Sequence, residues 1–190
     1  MIQLSQDQLD TLRSYKVTVD DDNINYKEVI KKTLINDPLI IYLLNNKELE
    51  DSEADPSDYL GVNILPFYMI HPTQHNVSNF ICYETSFEEI PRYNDVLKYQ
   101  KIYFYVLCEE KNNIEKMTGI ARHDLIAARI RELFNWSNKF GLQCKIKSNI
   151  PSITDNDYAT RTLVFELTTP KNLVKTKDGV TRTVNNIEVN

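Results

Sequence analysis

The segment of residues 119–169 decides most about the fold, because one amphipathic helix is followed there by two apolar strands. Apolar side chains recur at three- and four-residue spacing, which predicts a helix over residues 120–140 with one buried side. We expect Gly141 to form the C-terminal cap of this helix. Alternating apolar and polar residues predict strands on either side of a turn-rich connection over residues 148–157. These strands are expected over residues 142–147 and 158–169.

The first 46 residues carry the signals of short helices. Ser5 and Gln8 have the spacing of a capping box, and Asp37 followed by Pro38 places a capping aspartate before a proline at the first helical position. The residues after Pro38 are apolar on most sides, so this helix should be buried. We therefore expect N-terminal helices within residues 1–46.

Two more strands are expected before the central helix, over residues 76–84 and 99–109, with residues 85–95 connecting them. The second strand is apolar on both faces, which predicts a central position with cover on both sides. Residues 59–72 are apolar but broken by glycine and proline, which predicts an irregular segment covering a core edge or facing a partner. The core should bury Phe104, Val106, Ile130, Phe134, Leu163 and Phe165 together.

This order of elements predicts an α+β fold, with a mainly antiparallel four-stranded sheet and helices packed on one face. We expect a single domain over residues 1–170, with N-terminal helices in 1–46 and the sheet plus helix in 59–169. Residues 171–190 form a C-terminal arm in this scheme. Their pattern is compatible with a hairpin or arm added to a neighbour's sheet, and equally with a frayed tail.

Charge and cysteine usage exclude several classes of protein. The net charge of −5 argues against a surface built to bind nucleic acid without sequence preference. Cys82, Cys108 and Cys144 fall in or beside apolar strands without a close pair, which predicts buried thiols in a reducing compartment. No stretch reaches the roughly 18 apolar residues of a membrane span, and no signal peptide is visible. We expect a soluble protein that is made in a cytoplasm and has no membrane partner.

The sequence predicts no catalytic residue, no cofactor and no metal site. His71 and His75 have helical metal-ligand spacing, but Pro72 lies between them and no further ligand completes a set. Arg122, His123 and Asp124 are adjacent, so on a helix their side chains point in different directions, and we expect capping and contact roles. The alternative is a small intracellular α+β enzyme or ligand-binding domain that uses this cluster.

The run Gly119-Ile120-Ala121-Arg122-His123-Asp124-Leu125-Ile126 and its amphipathic helix resemble the neck proteins of tailed bacteriophages. More narrowly, the chain is similar to tail-terminator and head–tail joining (tail completion) proteins. The resemblance covers about residues 25–169. It also rests on Ser148 in a loop, the run Asp157-Tyr158-Ala159-Thr160-Arg161, the helix end Leu43-Leu44-Asn45-Asn46, and the prolines Pro66 and Pro72.

The resemblance implies a structural virion protein that forms a hexameric or dodecameric ring in the phage neck. Its partners would be further copies of itself, portal or adaptor proteins and tail-tube proteins, while the genome DNA passes through without specific binding. An acidic chain suits such a conduit, and a ring needs two different patches that meet on neighbouring copies. The expected interface residues are Leu65, Phe67, Tyr68, Met69, Arg122, His123, Asp124, Val180, Val184 and Ile187.

Overall fold

Helices dominate the first third of the chain, and strands surround one further helix after it. The computed structural model describes residues 4–15, 22–68, 79–89, 97–153, 158–170, 173–175 and 181–183. The helices are α1 (Gln6–Ser14), α2 (Asp22–Ile35), α3 (Pro38–Leu44), α4 (Lys47–Asp51) and α5 (Arg122–Phe134). The strands are β1 (Ile64–Leu65), β2 (Asn79–Glu89), β3 (Leu97–Glu109), β4 (Lys145–Ile153), β5 (Tyr158–Pro170), β6 (Leu173–Lys175) and β7 (Thr181–Thr183).

The first five strands form one sheet in the order β1-β2-β3-β5-β4, antiparallel except for the parallel pair β1 and β2. The expected α+β fold with a mainly antiparallel sheet is confirmed. The expected number of four strands is wrong, because Ile64 and Leu65 pair with Ile81 and Cys82 and add a fifth. This pairing joins segments that are distant in sequence, and two residues are too few to show an alternating pattern.

The strand boundaries also differ from expectation. β2 continues to Glu89 instead of ending at Glu84, because residues 85–89 pair with residues 98–102 of β3. β4 continues to Ile153 through residues expected to be a connection. Pro151 is tolerated there because β4 is an edge strand, and an edge residue does not need its N–H for pairing.

The hydrophobic core lies between the inner face of the sheet and helices α2, α3 and α5. The expected packing of helices on one face is therefore confirmed. The central position of β3, between β2 and β5, is also confirmed. The predicted core is confirmed as one fully buried cluster, which contains Phe104, Val106, Ile130, Phe134, Leu163 and Phe165.

The expectation that β3 is covered on both sides is wrong. On the outer face of the sheet, burial is confined to a small cluster of Leu65, Phe80, Cys82 and Leu107. Further along β3, outward side chains such as Tyr103 remain partly exposed. The tyrosine rings are apolar enough to predict burial, but their hydroxyl groups also allow them to face water.

Helix α5 spans residues 122–134, so the expected end near residue 140 and the expected cap at Gly141 are both wrong. Asn135 leaves the helical conformation, and its side-chain oxygen accepts a hydrogen bond from the backbone N–H of Ile146 at 2.9 Å. The Trp136 N–H then donates to the carbonyl of Cys144 at 2.7 Å. The chain after Phe134 is thus held to the start of β4, and these distant partners end the helix.

Strands β6 and β7 pair antiparallel and form a separate two-stranded sheet. The start of the predicted arm is therefore a hairpin, while its contact with a neighbouring copy stays a prediction. Several residues of the sequence predictions lie outside the described part of the chain. They are Met69, His71, His75, Val180, Val184 and Ile187.

Candidate functional site

The N-terminus of α5 is capped by the loop that precedes it. The N-cap residue, Ala121, makes no side-chain hydrogen bond. Instead, Asn113 accepts from the backbone N–H of Arg122 through its carbonyl at 2.5 Å, and from that of His123 through Oδ1 at 3.2 Å. These bonds satisfy N–H groups that the first turn of any helix leaves without intrahelical partners. Asn113 is therefore the residue that caps the start of the Arg122-His123-Asp124 run.

Arg122 faces inward. It is 6% exposed, its Nε donates to the carbonyl of Asn112 at 3.1 Å, and its guanidinium lies 6.0 Å from the ring centre of Tyr42. Its Nη1 is buried without a hydrogen-bond partner among the described residues. Arg122 thus fixes the loop against α3 and α5, and it is not presented to a partner.

His123 is held in one orientation by Asn113. The Oδ1 of Asn113 that accepts the His123 N–H also lies 2.9 Å from Nδ1 of the ring. Because that oxygen can only accept, Nδ1 must carry the hydrogen. Burial lowers the pKa of His123 and outweighs the opposite effect of the neighbouring Asp124 carboxylate. The other ring nitrogen, Nε2, lies 3.4 Å from the Asp124 carboxylate.

Asp124 closes this cluster with an ion pair to Arg161 of β5, and Arg161 also donates to Asn149 of β4 at 3.2 Å. A cleft of about 570 Å³ opens beside them, between α5 and the sheet edge. The cleft is lined by Asp124, Ala128, Arg131, Glu132, Asn135, Asn149 and Arg161. Within it the charges of Asp124 and Arg161 are paired with each other, so neither side chain is free to act as an acid or a base.

Nucleophiles and metal ligands are not gathered in the described part of the chain. All three cysteines are buried, and burial raises the pKa of the Cys108 and Cys144 thiols, the latter to about 12. Such thiols are poor nucleophiles. Within the described ranges there is no group of three or more His, Cys, Asp or Glu residues placed to hold a metal ion. None of the helices described is both long and apolar enough to cross a membrane.

Glu115 organises the loop before α5. Its carboxylate accepts from the backbone N–H groups of Met117 at 2.9 Å and Thr118 at 2.7 Å, and from the Tyr42 hydroxyl at 2.9 Å. The bond from Met117 is the strongest influence in lowering the pKa of Glu115 to about 2. Sequence reasoning missed this residue, because its partner Tyr42 is more than 70 positions away.

We expect Glu115→Gln to lower the melting temperature at pH 7, because the neutral amide accepts these hydrogen bonds more weakly than the carboxylate. A lowered folded-state pKa stabilises the protein above the unfolded pKa of about 4.3. The difference between wild type and variant should therefore shrink as the pH falls toward about 2. Melting curves followed by circular dichroism at several pH values measure it.

Glu48→Gln, at an exposed position of α4, is the matched control and should show no such pH-dependent difference. An equal effect of both substitutions at every pH would contradict a specific role of Glu115.

The residues expected at the interface in the segment after β1 differ in their exposure. Leu65 is buried in the small outer cluster, so it lies inside the protein rather than on its surface. Phe67 and Tyr68 are nearly half-exposed. The Tyr68 ring packs edge-on against Tyr105 of β3, with centroids 4.7 Å apart. Phe67 and Tyr68 therefore remain available to a partner.

Tyr68 belongs to a row of tyrosines on the outer face of the sheet. Tyr105 and Tyr103 lie nearly parallel on β3, with ring centroids 6.4 Å apart. No helix among the described residues covers them. We call Tyr68, Tyr99, Tyr103 and Tyr105 the tyrosine row. The alternation of tyrosines along residues 99–105 is the sequence pattern that could have predicted this row. Interpreted from the sequence alone, it instead indicates that both faces of β3 are buried.

Residues 37–183 match a protein-family model whose description is YomW. The matched segment begins at Asp37, before α3, and ends with β7, so it contains the whole five-stranded sheet and α5. It leaves out α1 and α2. A search of curated proteins found no match.

Proposed function

This chain belongs to the phage-associated YomW family, and we propose that it is a structural virion protein of a tailed phage. Within the virion we assign it to a ring in the neck, as a tail terminator or head–tail connector. Its partners there are further copies of itself, portal or adaptor proteins on the head side, and tail-tube proteins on the other. DNA passes through this ring without specific binding.

The tyrosine row is the observation that supports this proposal best. The exposed face of a sheet in a soluble protein normally carries polar residues. Here the rings of Tyr68, Tyr103 and Tyr105 lie close to one another, and Tyr99 follows on the same face of β3. Tyrosine is enriched at protein interfaces because its ring buries a large apolar area while its hydroxyl still forms hydrogen bonds. Ion pairs lie among these tyrosines: Lys101, between Tyr99 and Tyr103 on β3, pairs with Glu88, and Lys147 pairs with Glu166. Aromatic rings beside charged pairs suit a protein partner.

The contacts of Arg122, His123 and Asp124 favour a structural role over an enzyme. Each of these side chains is engaged by a residue of the same chain: Asn112, Asn113 and Arg161 respectively. A catalytic cluster would need a group left free to meet a substrate. We therefore propose that the chain carries no catalytic activity of its own.

We expect Tyr103→Lys to weaken self-assembly while leaving the monomer folded. An interface tyrosine of this kind contributes about 2 kcal/mol, which corresponds to roughly a 30-fold increase in the Kd of each contact. The lysine should be tolerated in the monomer because Tyr103 is partly exposed on the outer face of the sheet. Light scattering coupled to size-exclusion chromatography, over a concentration series, measures the oligomer mass.

Tyr103→Phe is the matched control, because it keeps the ring and removes only the hydroxyl. It should assemble nearly as the wild type does. If Tyr103→Lys assembled as the wild type does, the tyrosine row would not be part of the interface.

Disruption of the gene in the phage that encodes this chain tests the neck role itself. We expect DNA-filled heads and separate tails that fail to join, visible by electron microscopy of the lysate, and rescue by the intact gene in trans. Fully joined, infectious particles from the disrupted phage would overturn the assignment to the neck.

A further inference from the structure

Helix α1 presents apolar side chains that its own chain leaves uncovered. Every side chain of α1 remains at least partly exposed. Leu9 and Leu12 lie three positions apart and therefore share one side of the helix, and Leu12 is 53% exposed. Leu4, just before the N-cap, is positioned to extend this apolar side, as in a hydrophobic staple.

This helix is nevertheless well formed at its start. Ser5 makes both bonds of a capping box: its hydroxyl accepts from the Gln8 N–H at 3.3 Å, and its own N–H donates to the Gln8 side chain at 2.9 Å. Asp10 accepts from Arg13 at 3.0 Å on the polar side. A helix ordered by its own local contacts is prepared to dock as a unit, because less conformational entropy is lost on binding.

An apolar groove lies between α3 and α5. It encloses about 310 Å³, and its apolar lining comes from Leu39, Tyr42, Leu43, Leu125 and Ala128. Leu39 is 52% exposed, and Tyr42 is about equally exposed. The buried carboxylate in this lining, Glu115, is already satisfied by the loop and by Tyr42. The groove therefore exposes apolar surface, which suits binding of the apolar side of a short helix.

The β4 edge of the sheet is a weaker candidate for contact between copies. β4 forms this edge, and it carries an irregular register between Ile146 and Ser148 and a proline at position 151. Bulges and prolines are the features by which edge strands avoid pairing with other chains.

We infer that α1 of one copy docks into the α3–α5 groove of the next copy. The contact joins two different patches, so it is heterologous and repeats around a closed ring. This inference rests on the proposed ring and names one of its contacts. The groove lies on the helical side of the sheet, opposite the tyrosine row, so the two surfaces are independent.

The size of the contact agrees with a ring rather than with a stable dimer. A helix of nine residues is about 13 Å long. Its few apolar side chains bury far less than the roughly 1,200 Å² of a stable interface. A single contact of this kind is weak, but a closed ring forms it at every junction, and each contact raises the effective concentration for the others.

Disulfide cross-linking of the full chain tests the docking. Leu12→Cys on α1 is combined with Leu39→Cys in the groove, and the protein is treated with diamide and run on a non-reducing gel. Both positions are half-exposed, so the substitutions should not affect folding, and the three native cysteines are buried. We expect a ladder of covalent multimers extending beyond the dimer, which disappears on reduction.

Each single-cysteine variant should give at most a faint dimer. The pair Leu12→Cys with Ile150→Cys, which places the second cysteine at an equally exposed position of β4, should give no ladder. A monomer that migrates faster than the reduced protein would show that α1 docks on its own chain, and a dimer without larger species would show a reciprocal contact. Either result overturns the inference, as does a ladder from the Ile150 pair.

Failure of this inference and failure of the neck assignment are distinguishable. Rings seen by electron microscopy without the specific cross-link would refute the docking of α1 and leave the ring intact. A specific ladder from a protein whose gene the phage does not need for joining would refute the neck role and leave the docking intact.

Discussion

Phe134→Ala should lower the free energy of unfolding by about 3–5 kcal/mol. The Phe134 ring is fully buried. Its centroid lies 5.1 Å from that of Phe104, 5.8 Å from Phe140 and 6.3 Å from Phe165. Alanine removes the contacts with all three rings and leaves a cavity that the surrounding sheet is too tightly packed to fill. Urea unfolding followed by circular dichroism measures the difference.

Phe67→Ala is the matched control, because it makes the same change at a nearly half-exposed ring. It should cost less than about 1 kcal/mol, since much of that ring is already in water. If Phe134→Ala also cost less than about 1 kcal/mol, the buried side of α5 would be assigned wrongly.

Asp37→Ala should lower the free energy of unfolding by about 3 kcal/mol, because one carboxylate both caps α3 and binds α5. Asp37 is 5% exposed. Its Oδ1 accepts from the Ile40 N–H at 3.0 Å, and its Oδ2 lies 2.6 Å from Nη2 of Arg129. Burial raises the pKa of Asp37, but the bonds from Arg129 and Ile40 together lower it below its ordinary value.

The expected cost combines two contributions. Loss of an N-cap costs about 1 kcal/mol, and the remainder comes from leaving the Arg129 guanidinium without its partner. This remainder is smaller than the roughly 3–5 kcal/mol for a fully buried pair. The reason is that the Arg129 side chain is 24% exposed and keeps Glu132 at 2.6 Å.

Asp37→Asn separates these contributions, because asparagine still caps the helix but carries no charge. It should cost about 1 kcal/mol less than Asp37→Ala. Equal costs in urea unfolding would mean that the cap contributes nothing. A cost below about 1 kcal/mol for both variants would mean that the ion pair does not hold α3 to α5.

Both substitutions act on α5, the helix around which the proposed surfaces are arranged. One side of α5 packs on the sheet through Phe134, and Arg129 ties it to α3 across the groove proposed for a neighbour's helix. Weakening either contact should therefore also distort the groove. Stability variants of α5 cannot serve as neutral controls for assembly.

Local patterns in the sequence were sufficient for the elements and for the centre of the core. The spacing of Ile126, Ile130 and Phe134 specifies which side of α5 is buried, whatever it packs against. Ser5 and Asp37 cap their helices as their neighbours in sequence predict. Helix periodicity, strand alternation and capping depend on residues a few positions apart, and the sequence contains all of that information.

The surfaces and the remaining interactions depend on residues that only the fold brings together. α5 ends at Phe134 because Asn135 binds Ile146, and Asp37 meets Arg129 across 92 positions. The sequence pattern of the tyrosine row could not distinguish an inner face from an outer one, since tyrosine serves both. Which face of the sheet receives the helices is decided by tertiary packing, and that choice left the tyrosines outside and opened the groove between α3 and α5.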